Sequence, residues 1–109
     1  MSKLNLTEHK QWLVDFYKRR NWYQYSPFIR LNYLNEETGE VCRAVRSLEI
    51  GRDHPGEQEK PKQEDLANLK EELADTLDQV LILADKYGIE PAELLQQSEH
   101  KIKQRFHLN

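Results

Sequence analysis

The sequence predicts an all-α domain, a bundle of about four helices, on three observations. Apolar residues recur at spacings of 3, 4 and 7 over most of the chain. Period-2 alternation is scarce and β-branched residues are few. Proline and glycine gather chiefly at three breaks: Ser26-Pro27, the stretch from Gly51 to Pro61, and Gly88 to Pro91.

The helices follow in order. Thr7 is the expected N-cap of the first, which carries Trp12, Leu13 and Phe16, with Glu8 in its first turn. The second runs from Pro27 to about Leu48 on a stripe of Leu31, Leu34, Val41, Val45 and Leu48. An exposed loop from Gly51 to Pro61 follows. The third runs from Asp65 to about Lys86, with Leu66, Leu69, Leu73, Leu77, Val80, Leu81 and Ala84 in a broader stripe. Gly88 suits the position just past its end, and Pro91 the first position of the last helix. That helix runs towards Phe106 and is docked by Leu94, Leu95, Ile102 and Phe106.

Residues 1–109 are read as a single domain. Leu, Ile, Val and Phe make up 27 of 109 residues, enough for a core although the mean hydropathy is −0.90. So lean an apolar set predicts subunit association, as a dimer or tetramer. No apolar run approaches the length that spans a bilayer, and the N-terminus has no signal-peptide pattern, so a cytoplasmic protein is expected. Cys42 is the sole cysteine, which excludes an intramolecular disulfide and disfavours a zinc–cysteine site. A net charge of −3 disfavours nucleic acid as a general partner. With no Gly-rich phosphate loop, a P-loop NTPase is excluded.

The acids of the two middle helices are placed unusually. With about 100° per residue, Glu37 lies about 60° and Glu40 about 120° from the centre of the second helix's apolar stripe, while Glu36 projects about 160° away. On the third helix Asn68, Glu72, Asp75 and Gln79 fall within about 60° of arc beside the apolar stripe, with Glu71 and Asp78 further towards solvent. Each helix thus carries an i, i+3 acidic pair at its apolar margin: Glu37 with Glu40, and Glu72 with Asp75. Antiparallel packing would let the four converge. Such a group repels itself unless a cation sits in it, and an oxygen-only donor set suits Mg²⁺ or Mn²⁺. A di-iron centre would want Glu-x-x-His pairs, which neither helix has. The alternative is that these acids are solvated helix surface.

At these residues the sequence resembles the MazG-like all-α nucleoside triphosphate pyrophosphohydrolases. Their Glu-Glu-x-x-Glu motif is matched by Glu36-Glu37-Thr38-Gly39-Glu40, and their Glu-x-x-Asp motif by Glu72-Leu73-Ala74-Asp75. The resemblance runs from about Trp22 to Phe106 and includes Lys101 and Arg105 of the closing helix. It implies Mg²⁺-dependent hydrolysis of an NTP or dNTP to the monophosphate and pyrophosphate, a nucleotide-pool cleaning role, and a dimer or tetramer. It makes Glu37, Glu40, Glu72 and Asp75 the metal ligands, and Glu36 the residue that orients or deprotonates water. Lys101 and Arg105, i and i+4 on one helix face, are the candidate phosphate clamp; the alternative is a solvated basic helix end.

The stretch Lys18-Arg19-Arg20-Asn21-Trp22-Tyr23-Gln24-Tyr25 interleaves basic and aromatic residues. It suits a nucleotide, single-stranded nucleic acid, or simply a helix end and its loop. Trp22 and Tyr25 are the candidates for base stacking. Cys42 and Tyr33 are expected to pack rather than react. Two other functions stay open from sequence: a non-enzymatic helical module that binds nucleotide or metal, and a small nucleic-acid-binding helical domain.

Overall fold

The computed structural model describes residues 4–51 and 61–109. Among these the ordered elements are four helices and no strand: α1 Leu6–Arg19, α2 Pro27–Ile50, α3 Lys62–Lys86 and α4 Pro91–Arg105. All four expected helices form. Residues 52–60 of the expected loop lie outside the described residues.

The α1 cap differs from the expectation. Asn5, extended at φ −139°, accepts a 2.9 Å hydrogen bond from the Glu8 amide, and Thr7 lies inside the helix. Asparagine caps at least as well as threonine, so the earlier of the two polar residues starts the helix. Asn21 takes the left-handed conformation, φ 61°, just beyond the α1 end. Gly51 and Gly88, at φ 87° and 71°, follow α2 and α3, and a side chain at either would be strained. Pro91 opens α4 as expected and is buried; the Glu93 carboxylate accepts from the Glu90 amide at 2.7 Å.

Contacts divide the chain into two compact units: Met1–Pro27 with Leu81–Asn109, and Phe28–Val80. In the first, Leu13, Val14, Tyr17 and Ile82 form the core, with Phe16, Trp22 and Tyr23 against it. Lys10 is buried on the same α1 face. Its Nζ lies 3.0 Å from Asp85 Oδ1 and 3.2 Å from Glu90 Oε2. The Tyr23 hydroxyl donates to Asp85 Oδ2 at 2.6 Å, and the Lys86 ammonium donates to the Tyr23 carbonyl. Burial works to lower the Lys10 pKa, but the hydrogen bonds and charges of Asp85 and Glu90 outweigh it and raise it. Burial works to raise Asp85, and the hydrogen bonds from Tyr23 and Lys10, with the charges of Lys10 and Lys18, bring it below the usual aspartate value. Burial and the bond to Asp85 push Tyr23 up to about 12.

The second unit buries little that is apolar. Among its described residues the buried ones are Arg30, Ala44, Asp65 and Gln79. Leu31, Val45, Leu66, Leu73 and Leu77, taken from sequence as core stripes, are all exposed. Trp12 of α1 is 59% exposed, and the α4 residues expected to dock it are exposed too, Phe106 at 65%. Cys42 and Tyr33, expected to pack, are also exposed. The physical reason is area: a short, polar chain has too few apolar partners to cover stripes this broad.

Candidate metal centre

The site lies on the facing sides of α2 and α3, within the second unit. Arg30 Nη1 meets Gln79 Oε1 at 3.4 Å, and Ser47 Oγ donates to Asp65 Oδ1 at 2.9 Å. Partners fall on α3 as they rise on α2, so the two helices are antiparallel. That register brings Glu37 opposite Glu72 and Asp75. One carboxylate oxygen from each of the three lies within 4.8 Å of the others, and all three residues are half-buried.

The electrostatics are those of like charges held together. Burial, then the charges of Asp75, Glu72, Glu40 and Glu36, raises the Glu37 pKa. Glu72 is raised by burial, then by Asp75, Glu40 and Glu71, with Arg43 opposing. Asp75 is raised by burial and by Glu71 and Asp78. Each carboxylate is therefore less stable ionised here than in water. Three hard oxygen donors in mutual repulsion fit a divalent cation of the Mg²⁺ or Mn²⁺ class. A cation there could bind phosphate oxygens and acidify a water.

The four expected ligands do not all meet. Glu40 is exposed and stands outside the close triad, though its charge reaches Glu37 and Glu72. Glu36 is exposed as its helical angle predicts, and bears on Glu37 through its charge. Lys101 and Arg105 are exposed on α4, in the first unit. Trp22 is engaged in packing: the rings of Phe16 and Tyr17 meet it edge-on at 5.7 and 5.5 Å, and the Arg20 guanidinium lies 5.1 Å from its ring centre. Tyr25 is more exposed, with its amide bonded to the Trp22 carbonyl.

Sequence reasoning missed Arg30. It is 3% exposed, with its guanidinium 4.7 Å from the centre of the Tyr33 ring. The available signal was its place seven residues before Glu37, which puts it on the same helix face. Gln79 was already grouped with Glu72 and Asp75 by angle, but nothing in a single helix named its partner.

The profile of the MazG nucleotide pyrophosphohydrolase domain matches residues 27–107, which contain the whole carboxylate group. The chain is 41% identical over 103 residues to YvdC, an uncharacterized protein of Bacillus subtilis strain 168, covering 94% of this chain and 97% of that one. Its fold is similar to the crystal structure of YPJD from Bacillus subtilis, a protein assigned provisionally as a pyrophosphatase, with a TM-score of 0.73. That match covers 96% of this chain and 99% of the other at 22% identity, and so speaks to the fold. With four helices among its described residues, its paired acidic motifs and a profile match over most of its length, the chain belongs to the MazG nucleotide pyrophosphohydrolase family.

Proposed function

We propose that this protein hydrolyses a nucleoside or deoxynucleoside triphosphate to the monophosphate and pyrophosphate, with Mg²⁺ or Mn²⁺ as cofactor. The observation that carries the reading is the convergence of Glu37, Glu72 and Asp75 from two helices, in a chain of this family. Glu37, Glu72 and Asp75 would hold the cation, with Glu40 as the candidate fourth ligand. A cation held there would supply positive charge to the phosphates and acidify a water. Glu36 would take the proton from the attacking water as the water oxygen bonds to phosphorus and the α–β phosphoanhydride bond breaks, releasing pyrophosphate. Lys101 and Arg105 supply positive charge to the phosphates. Tyr25 stacks on the base, with Trp22 holding the segment through its own packing.

The exposed apolar residues of α2, α3 and α4 support a homodimer or homotetramer, and the reading places the enzyme in the cytoplasm as a cleaner of the nucleotide pool. Among the described residues no helix is long and apolar enough to cross a membrane. The test is a panel of NTPs, dNTPs and damaged nucleotides assayed for pyrophosphate with Mg²⁺ and with Mn²⁺. Release that stops with chelator and returns with the metal supports the reading. No pyrophosphate from any member of the panel overturns it. Sedimentation at high concentration tests the assembly, and a species of only 13.0 kDa would refute it.

A further inference from the structure

The α2–α3 seam of the second unit is polar at three successive levels. Arg30 meets Gln79, Glu37 faces Glu72 and Asp75, and Ser47 meets Asp65. Arg30 lies seven residues before Glu37, and Asp65 and Gln79 lie seven residues before and after Glu72. Seven residues is within about 20° of two full turns, so these side chains share the face that carries the acids. Each hydrogen-bonded level stands roughly 10 to 15 Å along the helices from the carboxylates. Three of the four outer residues are buried, Arg30, Asp65 and Gln79 at 3%, 6% and 8% exposed, and Ser47 is half-buried.

Burying an arginine, an aspartate and a glutamine is costly, and apolar side chains of the same size would usually stabilise a helix pair as well or better. What a polar pair adds is geometry. Apolar contact is non-directional and lets helices slide or separate, whereas a hydrogen bond fixes a distance and a register. The middle level needs such control, because its carboxylates push the helices apart.

We propose that Arg30–Gln79 and Ser47–Asp65 are two pins that hold α2 and α3 at the spacing where Glu37 meets Glu72 and Asp75, so that the cation site stands preformed before the ion arrives. This rests on the metal reading above. These four are positioning residues; none is assigned contact with the ion or the nucleotide. A pinned pair spends most of its time competent to bind, and removing a pin lowers the apparent affinity by the competent fraction lost.

The experiment measures Mn²⁺ binding by the electron paramagnetic resonance of free Mn²⁺, with no nucleotide present. The variants are Ser47→Ala, Gln79→Leu and the two together, chosen because none changes the charge around the acids. Circular dichroism confirms helicity, and thermal unfolding without metal reports stability. Each single variant should weaken Mn²⁺ binding by about two- to fivefold and the double by about tenfold or more, on the scale of one hydrogen bond each. Ser47→Thr, which keeps the hydroxyl, should bind like the parent. If the variants lose thermal stability but bind Mn²⁺ within 1.5-fold of the parent, the pairs only hold the fold and the proposal is overturned. A parent that binds no Mn²⁺ overturns the metal reading, and this inference with it. Should Gln79→Leu fail to fold, the contrast of Ser47→Ala with Ser47→Thr decides by itself.

Discussion

Two polar clusters lie at the margins of apolar helix faces, one in each unit, and their charges are arranged in opposite ways. Around Asp85, Lys10 and Tyr23 donate and Lys18 adds positive charge, so Asp85 is shifted towards its ionised form and Lys10 is held protonated. Around Glu37, burial and then the charges of other carboxylates shift Glu37, Glu72 and Asp75 towards the protonated form. The first cluster satisfies itself and serves the fold. The second acquires its balance from a ligand, which is why the functional reading rests on it. The residue types differ little between them; the signs of the neighbours make the distinction.

The largest expected effect sharpens this contrast. Glu37→Gln or Asp75→Asn should lower pyrophosphate release by at least about a hundredfold, since even residues behind a metal's ligands commonly cost ten- to a hundredfold. The same substitutions should leave the metal-free protein as stable as the parent or more so, because each removes a repelling charge. Steady-state assay and thermal unfolding in chelator measure the two halves. Near-parental turnover in both variants would place the reaction elsewhere.

The opposite outcome is expected in the first unit. Lys10→Met leaves Asp85 and Glu90 without their shared cation and should destabilise by about 3 kcal/mol, as breaking a buried charge pair does. Chemical denaturation measures it. A loss below about 0.5 kcal/mol would put Lys10 with ordinary surface lysines and dissolve the comparison.

This difference was only partly legible in the sequence. Helix periods, the proline at the α4 start and the glycine after α3 are local signals, and they located all four helices. The carboxylate group was legible in part: Glu72 and Asp75 pair at i, i+3 on α3 and meet Glu37, whereas Glu40, the expected partner of Glu37, stands outside the triad. Lys10 and Asp85 are 75 residues apart, and Lys10 by itself reads as a solvated lysine. Arg30 failed for the same reason, its partner Gln79 being 49 residues away. The stripes misled in another way. Period reveals which face is apolar but not whether the chain has anything to cover it, so Leu73 and Ile102 read as core and are exposed.

The two clusters also part on pH. A carboxyl whose folded pKa stands above its unfolded value gives stability at low pH and loses it as pH rises through the folded value. For Glu37 and Glu72 that window opens above 4.5, and for Asp75 above 3.8. Asp85 does the reverse: its contribution is present above 3.8 and is lost as pH falls through its lowered value. Metal-free protein should therefore gain stability from the second unit as pH falls from 7 towards 4.5, while the first unit holds. Compared with Glu37→Gln over the same interval, the parent's melting temperature should rise more. Saturating Mg²⁺ should remove that difference. Parallel pH profiles for parent and variant without metal would mean that the carboxylates do not repel as their spacing requires.

The smallest effect tests whether the first cluster is as self-contained as its charges imply. Tyr23→Phe removes the 2.6 Å hydrogen bond to Asp85 and keeps the ring, which lies 5.0 Å from the Lys18 ammonium and 4.4 Å from that of Lys86. The cost should be about 1 kcal/mol, because Lys10 still serves Asp85. The alkaline limb supplies a second sign. With its pKa raised from 10.0 to about 12, the Tyr23 phenol contributes stability that is complete below pH 10 and is lost as pH rises towards 12. Tyr23→Phe should flatten that part of the parent's decline, while the decline from Lys10, which begins near the ordinary lysine value of 10.5, remains. Neither change should move Mn²⁺ affinity at pH 7, since the phenol bonds to Asp85 and not to the carboxylates of the second unit. A loss of Mn²⁺ binding in Tyr23→Phe would couple the two clusters and end the separation of a structural network from a ligand-dependent one.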